Sequence, residues 1–220
     1  MFDCTTLLRR TFTRPRSFAR DTSGIAAVEF GLIAPVLLIM LVGVVEITRA
    51  VSIDRRFGQV TALVADLISR EEVLKREDLD GVNGSGKRTG IYGIVEHVMG
   101  VWGVSTLKLH VYPVRASSDD RNDIYLYADT TNRPSFGSAA GSPKNVCDPY
   151  TGLTTDLLET RGTAIIVEGE YGYTPLIAQG ILTPSTWQDR AVLAPRSGCV
   201  SFEAETTLPQ PDCEPTPSCE

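Results

Sequence analysis

The stretch that decides the fold runs from Ile25 to Val45 and reads IAAVEFGLIAPVLLIMLVGVV. Glu29 is its only charged residue. A helix rises about 1.5 Å per residue, so this stretch would span roughly 30 Å, the thickness of the hydrocarbon core of a bilayer. The sequence therefore predicts a transmembrane helix over residues 25–45.

Two kinds of cleaved export signal are alternatives to a retained transmembrane helix. A secretory signal has an apolar core of about 7–15 residues that ends at a small-residue cleavage site. Here the run is longer, and the charged segment Glu46-Ile47-Thr48-Arg49 follows it. The segment Leu8-Arg9-Arg10-Thr11-Phe12 resembles a twin-arginine signal, but no matching cleavage site follows. A retained helix fits the sequence better than either signal.

The residues before the apolar run are basic. Residues 1–24 hold five arginines and two aspartates, although the whole chain has a net charge of −6. Basic flanks stay in the cytoplasm, so we expect residues 1–24 to form a cytoplasmic leader, with the chain beyond the span exported to the periplasm. Arg49, Arg55 and Arg56 reduce this asymmetry. The acidic balance of the remainder argues against nucleic-acid binding, because phosphate recognition needs clustered Lys and Arg.

A second apolar pattern follows the span, at the spacings of three and four residues that are typical of a helix. Two acid–base pairs at i,i+4 between residues 71 and 76 extend the pattern. We expect one helix from Ile25 to about Leu79, with residues 46–80 projecting beyond the membrane. Its apolar stripe consists of Ala50, Ile53, Phe57, Val60, Val64 and Leu67. We expect the chain's own head, and not a coiled-coil partner, to cover this stripe.

Residues 81–220 predict a periplasmic head of the α+β class, in which an antiparallel sheet packs on the projecting helix. The clearest strand is Thr163–Tyr173, where apolar and polar residues alternate. The other predicted elements are a helix at Ile91–Val98, strands at Leu107–Tyr112 and Ile124–Tyr127, edge strands at Ala191–Ala194 and Cys199–Phe202, loops at Gly81–Gly90 and Arg133–Pro149, and a Pro-rich extended tail after Leu208.

Four of the five cysteines fall on the exported side of the span, and Cys4 falls in the leader. An oxidising compartment permits disulfides between them, and four cysteines allow three pairings. The candidates are Cys147, Cys199, Cys213 and Cys219.

Motifs for catalysis or for cofactor binding are absent from the sequence. The only histidines, His97 and His110, form no metal-binding pair. The loop from Gly81 to Gly90 resembles a phosphate-binding loop superficially, but Arg88 stands where Ser or Thr should hold magnesium. We therefore predict no catalytic residues, cofactor, metal or small-molecule substrate. A membrane-anchored periplasmic enzyme or binding domain is the alternative.

The most informative residue is Glu29. A carboxylate in an apolar span costs about 2.5–3.5 kcal/mol at mid-bilayer and less near an end, so it usually marks function. The structural alternative is that Glu29 lies near the headgroups, where the helix N-terminal dipole stabilises it. Gly24, four intervening residues and then Glu29-Phe30 resemble the processing site of type IV pilin-like proteins.

The wider stretch from Gly24 to Arg49 is similar to the TadE-like family of tight-adherence (Flp) pilus assembly proteins. The likeness rests on the VEF core, Pro35 and the Gly43–Glu46 end, and more weakly on residues 170–175, EYGYTP. It implies a non-enzymatic pilus assembly protein of the bacterial inner membrane, a minor pseudopilin, that works with other pilus or secretion-machine subunits in cell adhesion. Phe30 departs from the Tyr usual in processed members.

The resemblance also implies that a prepilin peptidase cuts between Gly24 and Ile25. Gly24 lacks a side chain, which lets a protease approach the backbone closely. Cleavage would give Ile25 a free amine on the same helix face as Glu29, where the amine of this or a neighbouring subunit could neutralise the carboxylate. Ala27 and Gly31 form a small-xxx-small pair of the kind that allows close helix packing.

Overall fold

The computed structural model describes residues 24–117, 123–127, 136, 147–153, 157–159, 162–177 and 183–202. The helices are α1 (Ile25–Arg70), α2 (Arg76–Asp80) and α3 (Ile91–Met99), and a 3₁₀ helix follows α3 at Gly100–Trp102. The strands are β1 (Val73–Leu74), β2 (Leu107–Ala116), β3 (Ile124–Leu126), β4 (Thr163–Tyr173), β5 (Ser185–Leu193) and β6 (Ser201–Phe202). The chain divides into two compact units, with the boundary between Val45 and Glu46.

The first unit contains the apolar half of α1. Its best window has a mean hydropathy of 2.6, and almost none of that window is buried. The core helix of a soluble protein would be mostly buried instead. Among the described residues, α1 is the one helix long and apolar enough to cross a membrane. The first unit is therefore compatible with a single-pass membrane anchor.

The second unit contains the remainder of α1 and the head. The predicted stripe on α1 is confirmed: its four central residues are buried in the main core, and Ala50 and Leu67 pack against it. The core is completed by α3 and by one face of the sheet, so the chain's own head covers the stripe. The buried residues of the stripe are Ile53, Phe57, Val60 and Val64.

The sheet has four strands in the order β3-β2-β4-β5, and every neighbouring pair is antiparallel. Leu107 lies opposite Tyr171, and Ile165 lies opposite Leu193. This arrangement confirms the predicted α+β class with an antiparallel sheet.

Each face of the sheet has its own cluster of apolar side chains, because successive residues of a strand point to opposite faces. The face toward α1 and α3 includes Leu107, Leu109, Val111, Ile165, Val167, Tyr171 and Tyr173. The opposite face carries Tyr112, Val114, Ile124, Leu126, Tyr150, Ala164 and Ile166. Lys108, His110 and Glu168 share this second face and form a polar region beside its cluster.

The prediction of an unbroken helix to about Leu79 is wrong beyond Arg70. Instead, β1 pairs in parallel with β6, and the backbone N–H of Arg196 donates to the carbonyl of Ser69 over 3.0 Å. Leu74 is buried, which is worth about 1.5–3 kcal/mol, whereas each i,i+4 charge pair stabilises a helix by about 0.2–0.5 kcal/mol. Tertiary packing therefore outweighs the local helical signal, and residues 46–80 are a helix, a short strand and α2.

The other predicted helix and strands hold with changes of length. The Thr163–Tyr173 strand is confirmed at both ends, and α3 confirms the predicted short helix. The edge strand expected at Ala191–Ala194 extends further and runs over Ser185–Leu193, while β2 continues to Ala116. The Asn83 side chain accepts from the N–H groups of Ser85 and Lys87 and so forms a turn within the loop before α3. Residues 1–23 of the leader, most of the loop predicted at Arg133–Pro149 and the tail lie outside the described residues.

Candidate functional site

The predicted processing boundary lies at the start of α1. The helix begins at Ile25, directly after Gly24. Both residues are exposed, and a Cβ built on Gly24 would meet no atom of the described residues within 4 Å. Whether a peptidase cuts there stays a prediction.

The two residues predicted to pair after processing, Ile25 and Glu29, both lie in the first two turns of α1. Residues four apart lie on the same side of a helix. Glu29 and Phe30 are both exposed. Within the part of the chain that the structure describes, a Cβ built on Gly31 would also meet nothing within 4 Å, so the helix carries a small, uncovered residue there.

A second candidate site was missed by the sequence analysis and is centred on Glu46. This carboxylate is only 3% exposed. Its Oε1 accepts hydrogen bonds from the Tyr173 hydroxyl at 2.6 Å and from the Leu176 backbone N–H at 2.8 Å. Its Oε2 accepts from the Ile177 N–H at 3.4 Å, and the Arg49 guanidinium lies 3.8 Å from Oε1. We call these five residues the Glu46 cluster.

The end of β4 explains how these donors meet. Tyr173 is the last residue of β4, and Pro175 follows two positions later. Proline has no N–H and cannot continue a ladder, so the chain leaves the sheet there. The next two backbone N–H groups then point to Glu46. The Tyr173 hydroxyl, followed by the Leu176 N–H, lowers the pKa of Glu46, and burial raises the pKa of Tyr173 to about 12. The site is therefore an ionised carboxylate bound by a protonated phenol at neutral pH.

Both tryptophans of the chain lie beside the Glu46 cluster. The Trp187 ring stacks on the Tyr173 ring, with centroids 4.6 Å apart and an interplanar angle of 11°. The Arg49 guanidinium lies 5.8 Å from the centre of the Trp102 ring. The Tyr171 hydroxyl donates to the Trp102 carbonyl over 3.2 Å. The Trp187 ring therefore lies beside Tyr173, and the Trp102 ring lies beside the partly exposed Arg49 of the same cluster.

The outer face of the sheet carries a polar groove of about 360 Å³. Its two glutamates are engaged: Lys108 Nζ lies 3.1 Å from Glu170, and Arg190 lies 3.2 Å from Glu168. The Tyr150 hydroxyl also donates to Glu168 over 2.5 Å, and burial lowers the pKa of His110. Among the described residues, no group of three His, Cys, Asp or Glu is arranged to hold a metal ion. An enzyme using this groove would have His110 as its first candidate base.

Two of the four candidate disulfide cysteines lie within the described residues. They are Cys147 and Cys199. The Cys147 N–H donates to the carbonyl of Leu126, and the residue after Cys199 is hydrogen-bonded to the hydroxyl of Tyr127. Cys147 therefore lies beside the end of β3, and Val200, which follows Cys199, lies at the hydroxyl end of the Tyr127 side chain. Cys213 and Cys219 lie outside the described residues, and the pairing stays a prediction.

Comparison with known proteins matches residues 24–66 to the family model described as TadE-like protein. The match begins at the predicted processing glycine and ends in the part of α1 that packs on the sheet. It confirms the resemblance drawn from the stretch between Gly24 and Arg49, and it supports a role related to pilus assembly. None of the curated proteins or solved structures compared matches the chain.

Proposed function

We propose, from the TadE-like segment at residues 24–66, that this chain is a non-enzymatic assembly protein, a minor pseudopilin, of a tight-adherence pilus or a related secretion machine. The observation that carries the proposal is the family match, which includes Gly24, Glu29 and the whole apolar run. The position of the match on one continuous helix that begins immediately after Gly24 supports it further.

The proposed topology places residues 1–24 in the cytoplasm, residues 25–45 across the bacterial inner membrane and the head in the periplasm. The arginines of the leader support this orientation, because positive flanks stay inside. The exposed apolar half of α1 supports the span. The proposed partners are therefore the lipid bilayer, a prepilin peptidase and other subunits of the pilus machine.

The proposed role of the N-terminal residues is assembly. The peptidase would hydrolyse the Gly24–Ile25 peptide bond and leave an α-amine on Ile25. That amine, from this or a neighbouring subunit, would pair with the Glu29 carboxylate and reduce its cost in lipid. Phe30 and Gly31 would lie against neighbouring helices, where a small residue lets two backbones approach closely.

The alternative function is a periplasmic enzyme or binding domain that uses the groove at His110. The groove and its partly buried histidine favour that function. The pairing of Glu168 with Arg190 and of Glu170 with Lys108 favours a structural role for these charges. The two functions predict different effects of removing the His110 imidazole: none on pilus assembly, but a loss of activity if the groove is the functional site.

Deletion of this chain in its natural host is expected to abolish surface pili and surface adhesion. Pili are counted by electron microscopy, and adhesion is measured by retained cells. Expression of the wild-type chain should restore both, and His110→Ala should restore them equally. A deletion strain with normal pili would contradict the proposal, and a failure of His110→Ala alone would favour the groove-based function.

We also propose that one disulfide joins Cys147 to Cys199. The Cys147 N–H donates to the Leu126 carbonyl, and the N–H of Val200, next to Cys199, donates to the Tyr127 hydroxyl, so two consecutive residues hold both segments. Closing a loop of about 50 residues stabilises a protein by about 2–4 kcal/mol. Non-reducing peptide mapping should recover this pair from periplasmic protein. Recovery of Cys147 and Cys199 as free thiols would contradict it.

A further inference from the structure

Several apolar side chains of the second unit are exposed, and three of them belong to segments that contact the first turns after the span. Val101 is 94% exposed, Leu176 is 62% exposed and Ile177 is 53% exposed. Leu176 and Ile177 follow β4, whereas Val101 lies in the 3₁₀ helix after α3. Water-facing surfaces carry scattered apolar residues, so exposure alone decides little, and the position of these three residues matters more.

Contacts with α1 fix that position. The Glu46 carboxylate holds the backbone N–H groups of Leu176 and Ile177. Further along α1, Arg49 lies over the Trp102 ring and Arg56 donates to the Val98 carbonyl over 3.0 Å. The chain from residue 98 to residue 102 therefore runs along α1 toward Glu46. All three exposed side chains lie at the end of the second unit that begins directly after Val45.

The aromatic side chains at this end are of the kind found where membrane meets water. Trp and Tyr are enriched at both membrane interfaces, where their apolar rings and polar atoms suit the headgroup region. Trp102 and Trp187 are both partly buried here, beside Tyr173. The charges present are compensated, because Glu46 is held by Arg49, by Tyr173 and by two backbone N–H groups.

We infer that this end of the head, defined by Val101, Trp102, Leu176, Ile177 and Trp187 and called the membrane-proximal face, rests in the headgroup layer of the bilayer. Its partner is lipid, and Glu46 is the positioning residue that holds Leu176 and Ile177 toward the bilayer. The inference rests on the proposed span at residues 25–45. It adds a second lipid contact, made by the head itself.

Lipid fits this face better than a second copy of the chain. Stable protein interfaces bury about 800 Å² and 20–30 residues on each partner, whereas this face has five residues. Glu46, whose carboxylate holds Leu176 and Ile177, also follows the proposed span directly in the sequence. A small apolar surface held by the first residue after a membrane span is suited to shallow insertion.

The two native tryptophans provide the test without any added label. Full-length protein is reconstituted at low density in vesicles of phosphatidylcholine and phosphatidylglycerol, with bromine placed on the acyl chain near the headgroup or near the chain end. Bromine quenches tryptophan only at close range. We expect the shallow bromine to quench the fluorescence about twice as strongly as the deep bromine, because interfacial tryptophans lie at the headgroup level. The Trp102→Phe variant retains only Trp187 and the Trp187→Phe variant retains only Trp102, so the two variants report the quenching of each tryptophan separately.

The decisive variant replaces both exposed residues of the loop, Leu176→Asp with Ile177→Asp. Charged side chains should withdraw the loop from lipid and lower the shallow quenching to about half. Val82→Asp is the matched control. Val82 is 60% exposed in the loop before α3. That loop lies far from the Glu46 cluster. Its Thr89 lines a cavity together with Leu67, and Leu67 lies about 30 Å along α1 from Glu46.

Each outcome has one meaning. Protein that floats with the vesicles but is quenched by neither bromine would overturn the inference and leave the anchor intact. Quenching that disappears on further dilution of the protein in lipid would assign the face to another copy of the chain and overturn it too. Protein that does not float would refute the span itself, and the inference with it. Equal loss of quenching in the Val82→Asp control would show that the loop change acts through unfolding and would overturn the role of Leu176 and Ile177.

Discussion

Replacing Gly169 with valine should unfold the head. A Cβ at this position of β4 would lie 2.8 Å from Cε2 of Phe57 and 2.9 Å from Oγ1 of Thr61. Both neighbours are buried on α1, in a core where side chains are closely packed. Overpacking a core by even one methyl group typically costs about 1–3 kcal/mol. Gly169→Ala should therefore lower the free energy of unfolding by about that amount, and the two further methyl groups of valine should add to the loss.

Gly58→Ala is the matched control for this prediction. Gly58 lies in α1 opposite the same sheet, but its Cβ would meet the nearest atom, Oδ2 of Asp189, at an ordinary 3.5 Å. Alanine is favoured over glycine inside a helix, so this variant should gain about 0.5–1 kcal/mol. Urea unfolding of the detergent-solubilised protein, followed by tryptophan fluorescence, measures both. A Gly169→Ala variant as stable as the wild type would show that α1 and β4 pack less closely than the structure has them.

Replacing Glu29 with glutamine should stop pilus assembly while leaving the protein in the membrane. The change keeps the shape of the side chain and removes its charge. The variant helix should insert into the membrane at least as well as the wild-type helix, because the cost of desolvating a carboxylate opposes its burial in lipid. The proposed pairing with the Ile25 amine would be lost, and an unpaired ammonium group would remain in or near the apolar layer. Pili on the complemented strain should fall to the level of the deletion strain.

Glu72→Gln provides the control for this charge change. Glu72 is an exposed carboxylate between α1 and β1, far from the N-terminal motif in sequence. The Glu72→Gln variant should fully complement the deletion strain, with wild-type numbers of pili by electron microscopy. Membrane fractionation must show equal amounts of both variants. Normal pili on the Glu29→Gln strain would show that Glu29 is a tolerated interfacial residue without a role in assembly.

The sequence predicts those parts of the fold whose signal is local. The apolar stripe of α1 and the alternation of β4 each repeat with the period of their own element, so both are read correctly. The cover over the stripe also follows, because an apolar stripe of this kind is stable only when it is buried. The residues of the N-terminal motif are likewise adjacent in the chain, which makes the motif recognisable.

The missed features depend on contacts between distant residues. The end of α1 at Arg70 follows from pairing of Val73 with Ser201, and no local pattern encodes that partner. Phe136 falls in a stretch rich in Pro, Gly and Ser, yet it is buried against Tyr92 with ring centroids 5.2 Å apart. Glu46 and Tyr173 are 127 positions apart.

One signal could have suggested the Glu46 contact. Glu46 and Tyr173 belong to the two separate stretches that carry the family likeness, residues 24–49 and residues 170–175. A carboxylate at the end of an apolar run needs hydrogen-bond donors if it is buried, and the second stretch supplies a tyrosine. The chain alone does not show that the two stretches meet. The fold supplies that information.

The mass of the mature N-terminus tests the central claim most directly. Protein purified from membranes of the piliated host is digested, and its N-terminal peptide is sequenced by mass spectrometry, beside a Gly24→Leu variant. The proposed processing predicts that the wild-type chain begins at Ile25 and that the variant keeps residues 1–24, because a bulky side chain crowds the scissile peptide. A wild-type chain from a piliated strain that still carries residues 1–24 would contradict it.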